Sequence, residues 1–328
     1  MINTNEFKSK VIGVDIGVDY TTYALVNIRG VIIAENKIPT QDYPDVNIFV
    51  SVLSESIINL VEENGGYESV RSVGISAPSG NFLTGCIENA GNMPWKGVVP
   101  LAAMLRDRLG MAVALGNDAH VTAIGERVYG SAHGMKDFIV VSLGHGGVGS
   151  CFFSNGAPHL GVGGSAGELG HICVIDNGRQ CGCGRKGCLE EYASRRGIIK
   201  TAQEVMEASS EPSLMRSLTE LTPLTIGSCY DEGDALAIEV YRRTGEILGI
   251  GLSLYASLVN PEAIILTGEL TQTWKWLEEP TQQSFNEHVF HNIRDKVDII
   301  VSYIKDSERD VLGASALAWE VEEYSLFK

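Results

Sequence analysis

The sequence predicts two related α/β domains. Three observations lead there. The chain has 328 residues, 44% of them hydrophobic, which is enough for two ordinary cores. A unit of strand, glycine-rich turn and strand opens the chain and returns in its second half. Apolar residues at helical spacing follow each copy.

The elements read in order. "KVIGVDIG" (Lys10 to Gly17) is a short apolar run closing on Asp-x-Gly, and "YALVNIRGVIIAE" continues it through a turn at Arg29-Gly30. Together they read as an antiparallel meander. Phe49, Leu53, Ile57 and Val61 fall on one helical face, so a helix is expected over Val46 to Glu63. "SVGISA" (Ser72 to Ala77) is a strand, "PLAAMLRDRLG" a helix stopped at Gly110, and "AVALGND" a strand ending in polar residues. "DFIVVSLGHGGVGSCFFSNGAP" then repeats the opening scheme, with Gly144 corresponding to Gly17. Helical patterns follow at about Glu190 to Glu207, Asp234 to Leu258, Thr273 to His291 and Arg309 to Glu322, with "PEAIILTGE" and "DIIVSYI" as strands between them. Ser209 to Gly233 is rich in Ser, Thr, Pro and Glu and reads as a surface connection. The expected domains are 1–118, joined by the C-terminal helix 309–328, and 119–308.

Net charge is −16 and the sequence pI about 4.9. Such a chain repels phosphate backbones and anionic membranes, which disfavours a nucleic-acid partner. The longest uncharged apolar run, Ile247 to Pro261, falls short of the ~20 residues a bilayer needs. The N-terminus MINTNEFKSK has no apolar signal core. A soluble, cytoplasmic protein is expected, with no membrane partner.

"GELGHICVIDNGRQCGCGRKGCLEE" carries most of the chemistry. His171, Cys181, Cys183 and Cys188 are spaced His-x9-Cys-x-Cys-x4-Cys, with glycines at 182, 184 and 187. Zinc takes four such ligands in a closed tetrahedron, and the glycines let the backbone fold tightly around an ion. Redox pairs more often show Cys-x-x-Cys, which is absent. The expectation is a structural Zn2+ site, with reduced thiols as the plainer alternative. Cys173 could compete as a ligand or serve as a small hydrophobe in a strand. The site would hold Glu168 and Glu190 rigidly near one another.

"GELGH" and "CGCGRKGCLE" resemble the signature of the ROK family of repressors, open reading frames and kinases. The resemblance extends over nearly the whole chain, through "VDIG", "ENAGNMPWKGVVPLA", "GNDAH", "SLGHGGVG", "NPEAIILTGE" and "VLGASALAWE", and the chain is similar to the glucokinase-type members. It implies the actin-like (RNase H-like) two-domain fold with sugar and ATP in a cleft, and a homodimer. It implies that Asp118 is the base accepting the proton of a sugar hydroxyl. Read alone, Asn117-Asp118 would be a helix cap. It further implies that Gly80, Asn92, Asn117, Asp118, Glu168, His171 and Glu190 form the sugar side, in a hexose or N-acetylhexosamine kinase. Asp15, which helps place Mg2+, Gly17, Gly144, Gly146, Gly147, Gly149 and Gly268 form the nucleotide side. Trp95 reads as a pocket cap or as packing. The family's repressors carry a DNA-binding domain ahead of this core. Ten residues precede Val11, too few for one, so the kinase members are the expected kin.

The nucleotide side departs from the family pattern. Val18-Asp19 replaces Gly-Thr in the first loop, His145 replaces Thr in the second, and Glu269 replaces the second Gly after the "AIIL" strand. A carboxylate ~4 Å from a phosphate charge costs about 4 kcal/mol at an effective dielectric of 20. Two functions are therefore weighed. One is an ATP-dependent kinase with an adapted nucleotide site. The other is a non-catalytic sugar-binding or regulatory relative. Asp19 turned away from the nucleotide favours the first; Asp19 and His145 filling the phosphate site favours the second.

Overall fold

The computed structural model describes residues 8–144 and 147–321. The chain divides into two compact units, residues 1–133 with 160–165 and 304–328, and residues 134–159 with 166–303. The first unit keeps a helix that the expected boundary at 118 would have cut away.

The first unit begins with β1 (Lys10–Ile16), β2 (Tyr20–Asn27) and β3 (Ile32–Pro39), followed by α1 (Val46–Glu63) and β4 (Val70–Ala77). Three short strands, β5 (Gly80–Asn81), β6 (Cys86–Glu88) and β7 (Val98–Val99), form a small separate sheet. Then come α2 (Leu101–Leu109), β8 (Ala112–Asn117) and α3 (Asp118–Tyr129). The main sheet has the order β3-β2-β1-β4-β8. Its first three strands are antiparallel neighbours, and β1, β4 and β8 are parallel.

The second unit repeats this plan. Its strands are β9 (Phe138–Gly144), β10 (Gly147–Ser154), β11 (Ala157–Pro158), β12 (Ala263–Thr267) and β13 (Asp298–Val301). Their order is β11-β10-β9-β12-β13, with the same antiparallel and parallel pairings. The twice-used order is that of the actin-like fold. Between β11 and β12 lie α4 (Glu190–Ala193), α5 (Arg195–Ala208), α6 (Pro223–Asp231) and α7 (Ala235–Val259), and α8 (Trp274–His288) precedes β13. The last helix, α9 (Asp306–Glu320), packs in the first unit. No helix among the described residues is long and apolar enough to cross a membrane.

Period-two alternation explains the first sheet. Ile12, Val14 and Ile16 join Phe49, Leu53, Ile57 and Leu105 in the core under α1 and α2. On the opposite face, Gly13 of β1 and Ser72 and Gly74 of β4 are small and meet α9. A Cβ on Gly13 would lie 2.3 Å from the Val311 carbonyl, and one on Gly74 2.0 Å from the Ala314 carbonyl. Ser72 donates its hydroxyl to the Ala318 carbonyl at 2.6 Å. The helix therefore lies on the sheet at backbone contact.

Two stretches differ from the sequence reading. Ser209 to Gly233 is not a bare surface connection. It holds a 3-10 turn over Leu214–Ser217 and α6, and it buries Met215, Ile226 and Cys229 in the second core. Thr222 and Thr225 cap each other and Pro223 opens the helix, while Asp234 accepts from Ser213 and Leu214 and caps α7. The helical pattern from Glu190 is broken at Ser194, whose extended backbone ends α4 and whose hydroxyl caps α5.

Gly74→Ala should destabilise the protein by about 3 kcal/mol in denaturant unfolding, the upper range for an overpacked core. Gly91→Ala, where nothing lies within 4 Å of the added carbon, should stay within about 0.5 kcal/mol of the parent.

Candidate functional site

In the first unit, β1, β4 and β8 run parallel and end at one edge of the sheet, where open α/β sheets bind ligands. Asp15 lies opposite Ser76 in the ladder, and Ser76 opposite Gly116. Asp15 shares the face of Gly13, so it points to α9 and not to α1. There it meets Asp310 and Arg309. Burial, followed by the Asp310 charge, pushes the Asp15 carboxyl up to about 8; the Ser76 hydroxyl and Arg309 pull the other way, and Asp118 adds to the rise. Arg309 is itself clamped, pairing with Asp306 and with both oxygens of Asp310 at 2.8 and 3.0 Å.

Asp118 opens α3 and is exposed. Its Oδ1 accepts from the Ala119 amide at 2.7 Å, and the Asn117 side chain accepts from the same amide at 3.0 Å. Asn117 is thus the helix cap that its sequence context alone suggests. Gly80 is buried against the Gly116 carbonyl, and Asn92 is exposed between β6 and β7. Trp95 is packing. It is 5% exposed, its ring centroid is 4.5 Å from that of Phe49, and its indole donates to the Tyr43 carbonyl. Gly17 closes the β1–β2 turn by donating to the Tyr20 carbonyl at 3.0 Å. No residue of this turn has positive φ, so the β-branched Val18 is tolerated, and Asp19 is exposed.

In the second unit, His171 ends a 3-10 turn over Leu169–His171 that starts after the exposed Glu168. The ligand atoms of His171, Cys181, Cys183 and Cys188 all lie within 4.8 Å of one another. His171 Nδ1 is 3.6 Å from Cys181 Sγ, and Cys183 Sγ is 3.6 Å from Cys188 Sγ. Four ligands at zinc–sulfur bond length are spaced about 3.8 Å apart on a tetrahedron, so the set fits that ion. Nδ1 faces the set, which leaves Nε2 of His171 for another partner. Burial pushes the Cys188 thiol up to about 12. The Arg185 backbone amide draws the exposed Cys183 down to about 6. Cys173 is exposed and bridges to Cys188 through backbone, outside the set and not as a buried hydrophobe.

Arg179 ties this loop to the helices. Its guanidinium pairs with both oxygens of Glu204 and donates to the Glu191 and Gly197 carbonyls and to Thr201. It also lies over the Tyr192 ring at 4.4 Å. Glu190 starts α4, and its Oε2 accepts from the Val148 amide at 3.2 Å. Of the glycines expected to meet phosphate, Gly144 ends β9 and Gly147 and Gly149 lie in β10. Gly146 and His145 fall outside the described residues. Gly268 approaches β9 so closely that a Cβ would meet the Leu143 carbonyl at 2.4 Å. Glu269 is 3.9 Å from Arg195. Sequence reasoning missed Asp310, Arg309, Glu191 and Arg196. The nearest available signal was an Arg-Arg pair at the start of a helix, where the dipole disfavours cations.

A family model described as the ROK family matches residues 11–321. A glucokinase of Halalkalibacterium halodurans is 29% identical over 320 residues, 95% of this chain and 95% of that protein. Among solved structures, a ROK family transcriptional regulator, homologous to the E. coli MLC protein, superposes with a TM-score of 0.84 at 25% identity, over 96% of this chain and 78% of the other. A ROK family glucokinase from Streptomyces griseus, in complex with glucose and AMPPNP, superposes with a TM-score of 0.76 at 28% identity, over 95% of this chain and 100% of the other.

The unfolded chain ionises Asp15 near 3.8 and the folded one near 8, so stability from this group is full at acid pH and declines as pH rises through that window. Asp15→Asn removes the ionisation. In magnesium-free buffer its melting temperature should gain on the parent from about pH 5 to about pH 8 and then level off. A difference that is flat with pH would mean Asp15 is charged throughout.

Proposed function

The chain belongs to the ROK family, and we propose that within it the protein is an ATP-dependent sugar kinase, transferring the γ-phosphoryl group of Mg-ATP to a hydroxyl of a hexose or N-acetylhexosamine. The observation that carries this reading is Asp118 at the start of α3, its charge felt by Asp15 at the same sheet edge. Phosphoryl transfer needs a hydroxyl held in line and its proton accepted, with the remaining work electrostatic. Asp118 accepts that proton. The hydroxyl oxygen bonds to phosphorus as the bond from phosphorus to the ADP oxygen breaks.

Asp15 contributes on the metal side. Asp15 would help hold Mg2+ as its carboxylate, where a cation's charge would offset the burial and the Asp310 charge that favour the protonated form. Asn117, Glu168, His171 through Nε2, and Glu190 present donors and acceptors suited to a ring of sugar hydroxyls, with Gly80 and Asn92 beside Asn117 in the sugar set. The backbone from Gly144 to Gly149, with Gly17 and Gly268, serves the phosphates and nucleotide. Zn2+ on His171, Cys181, Cys183 and Cys188 is structural. We expect a homodimer without a nucleic-acid partner. Asp19 is the observation that favours the second reading, a sugar-binding relative without turnover, because its carboxylate stands where the family pattern has a hydroxyl.

A coupled ADP-release assay with Mg-ATP and a panel of hexoses and N-acetylhexosamines should show turnover on one sugar, reduced by at least about a hundredfold in Asp118→Asn. No turnover from zinc-loaded protein on any sugar would establish the second reading. For the metal, Cys183→Ser should lower zinc content and melting temperature together. Unchanged zinc in that variant would remove the assignment.

A further inference from the structure

Glu190 does more than border the sugar side. Its carboxylate occupies the space beside Gly147, the first residue of β10. A Cβ on Gly147 would lie 2.0 Å from Glu190 Oε2 and 2.7 Å from Cδ, and Gly147 has φ of +134°. Only glycine leaves room for the carboxylate there. The next residue, Val148, donates its amide to the same oxygen at 3.2 Å.

The other oxygen is steered from α5. Arg196 Nη2 is 3.5 Å from Glu190 Oε1 and 2.8 Å from Glu191 Oε1. Glu191 is 5% exposed, so it is a fixed anchor. Arg196 stands in the first turn of α5, where the helix dipole repels a cation. Two carboxylates offset that repulsion and hold the guanidinium in place. Cys181 Sγ, from the metal set, also lies within 4.8 Å of carboxylate oxygens of both glutamates. Glu190 is therefore held by the start of β10 on one side and by Arg196 and the cysteine loop on the other.

We propose that Glu190 is a link through which occupancy of the sugar side sets the backbone at the start of β10, at Gly147 and the Val148 amide, with Arg196 as the positioning residue that fixes its carboxylate. What the two sides bind rests on the sugar-kinase reading; the link itself does not. One oxygen of Glu190 is committed to Val148. A sugar hydroxyl that donates to the other oxygen competes with Arg196 and shifts the carboxylate. Val148 follows, because its amide and the glycine before it are seated on that carboxylate. Binding on either side then changes affinity on the other by the same factor.

The test has two readouts. The first is hydrogen exchange of the ligand-free, zinc-loaded protein at the peptide containing Val148. Exchange should quicken about tenfold in Glu190→Ala and measurably in Arg196→Met, with zinc content unchanged. The second is steady-state kinetics on whichever sugar is turned over. Arg196→Met should raise KM for the sugar and KM for ATP together, each several-fold, with kcat changed less, and Arg196→Lys should recover part of both. Unchanged exchange at Val148 in Glu190→Ala overturns the proposal. So does an Arg196→Met variant that moves the sugar KM alone. If no sugar is turned over, the kinase reading fails, and the exchange result decides the link by itself.

Discussion

The close approach of α9 to the first sheet is the constraint on which the first unit depends. Helix and strands touch through backbone at Gly13 and Gly74, so no side chain separates them. That contact carries Arg309 and Asp310 to the end of β1 from nearly 300 residues away in sequence. Without it, Asp15 would face water and keep an ordinary carboxyl affinity for protons. With it, Asp15 is half-buried beside a second carboxylate, and its carboxyl is pushed up to about 8. Packing of small residues thus sets the electrostatics of the strand ends.

The second unit solves a different problem. A loop of glycines and cysteines has little apolar surface with which to hold itself down. Two devices do so. One is the set of one histidine and three cysteines, which an ion would lock. The other is Arg179, whose side chain is only 8% exposed and which satisfies Glu204 bidentately while reaching the backbone of α4 and α5. A buried guanidinium is stable only when its donors are taken, and here its hydrogen bonds land on the helices that carry Glu190, Glu191 and Arg196. The loop is therefore docked next to Glu190 by contacts that need no metal.

Much of this was legible in the sequence. The short apolar run "KVIGVDI" closing on Asp-x-Gly and the run "SVGISA" marked both strands, and in "SVGISA" the Ser and Gly that meet α9 alternate with Val and Ile. The α1 boundaries at Val46 and Glu63 followed from apolar spacing. The grouping of His171 with the three cysteines followed from ligand chemistry and loop glycines. Other features lay beyond the pattern. α6 was masked by its polar composition, although Thr222-Pro223 with Thr225 is a start signal. Ser194 interrupted a run of helical residues because a serine can cap as well as continue a helix. Asp310, and the contact of Glu190 with Val148, depend on tertiary proximity that no local pattern encodes.

The departures of the first loop carry different physical weights. The concern was a carboxylate at Asp19 beside a phosphate, about 4 kcal/mol at ~4 Å if the surroundings behave as a protein surface of dielectric about 20. Asp19 is exposed at the tip of a turn that Gly17 and Tyr20 close by backbone alone. For a charge in open solvent the same separation costs nearer about 1 kcal/mol, and salt screens it further. That is about fivefold in affinity, not three decades. The Val18 substitution adds no backbone strain, since the turn contains no left-handed residue. What remains of the first loop's departure is the loss of one hydroxyl, a modest loss for a site whose phosphate contacts can come from backbone amides. On these magnitudes the departures of the first loop would weaken a phosphate contact there by about fivefold, a cost the proposed kinase reading can bear.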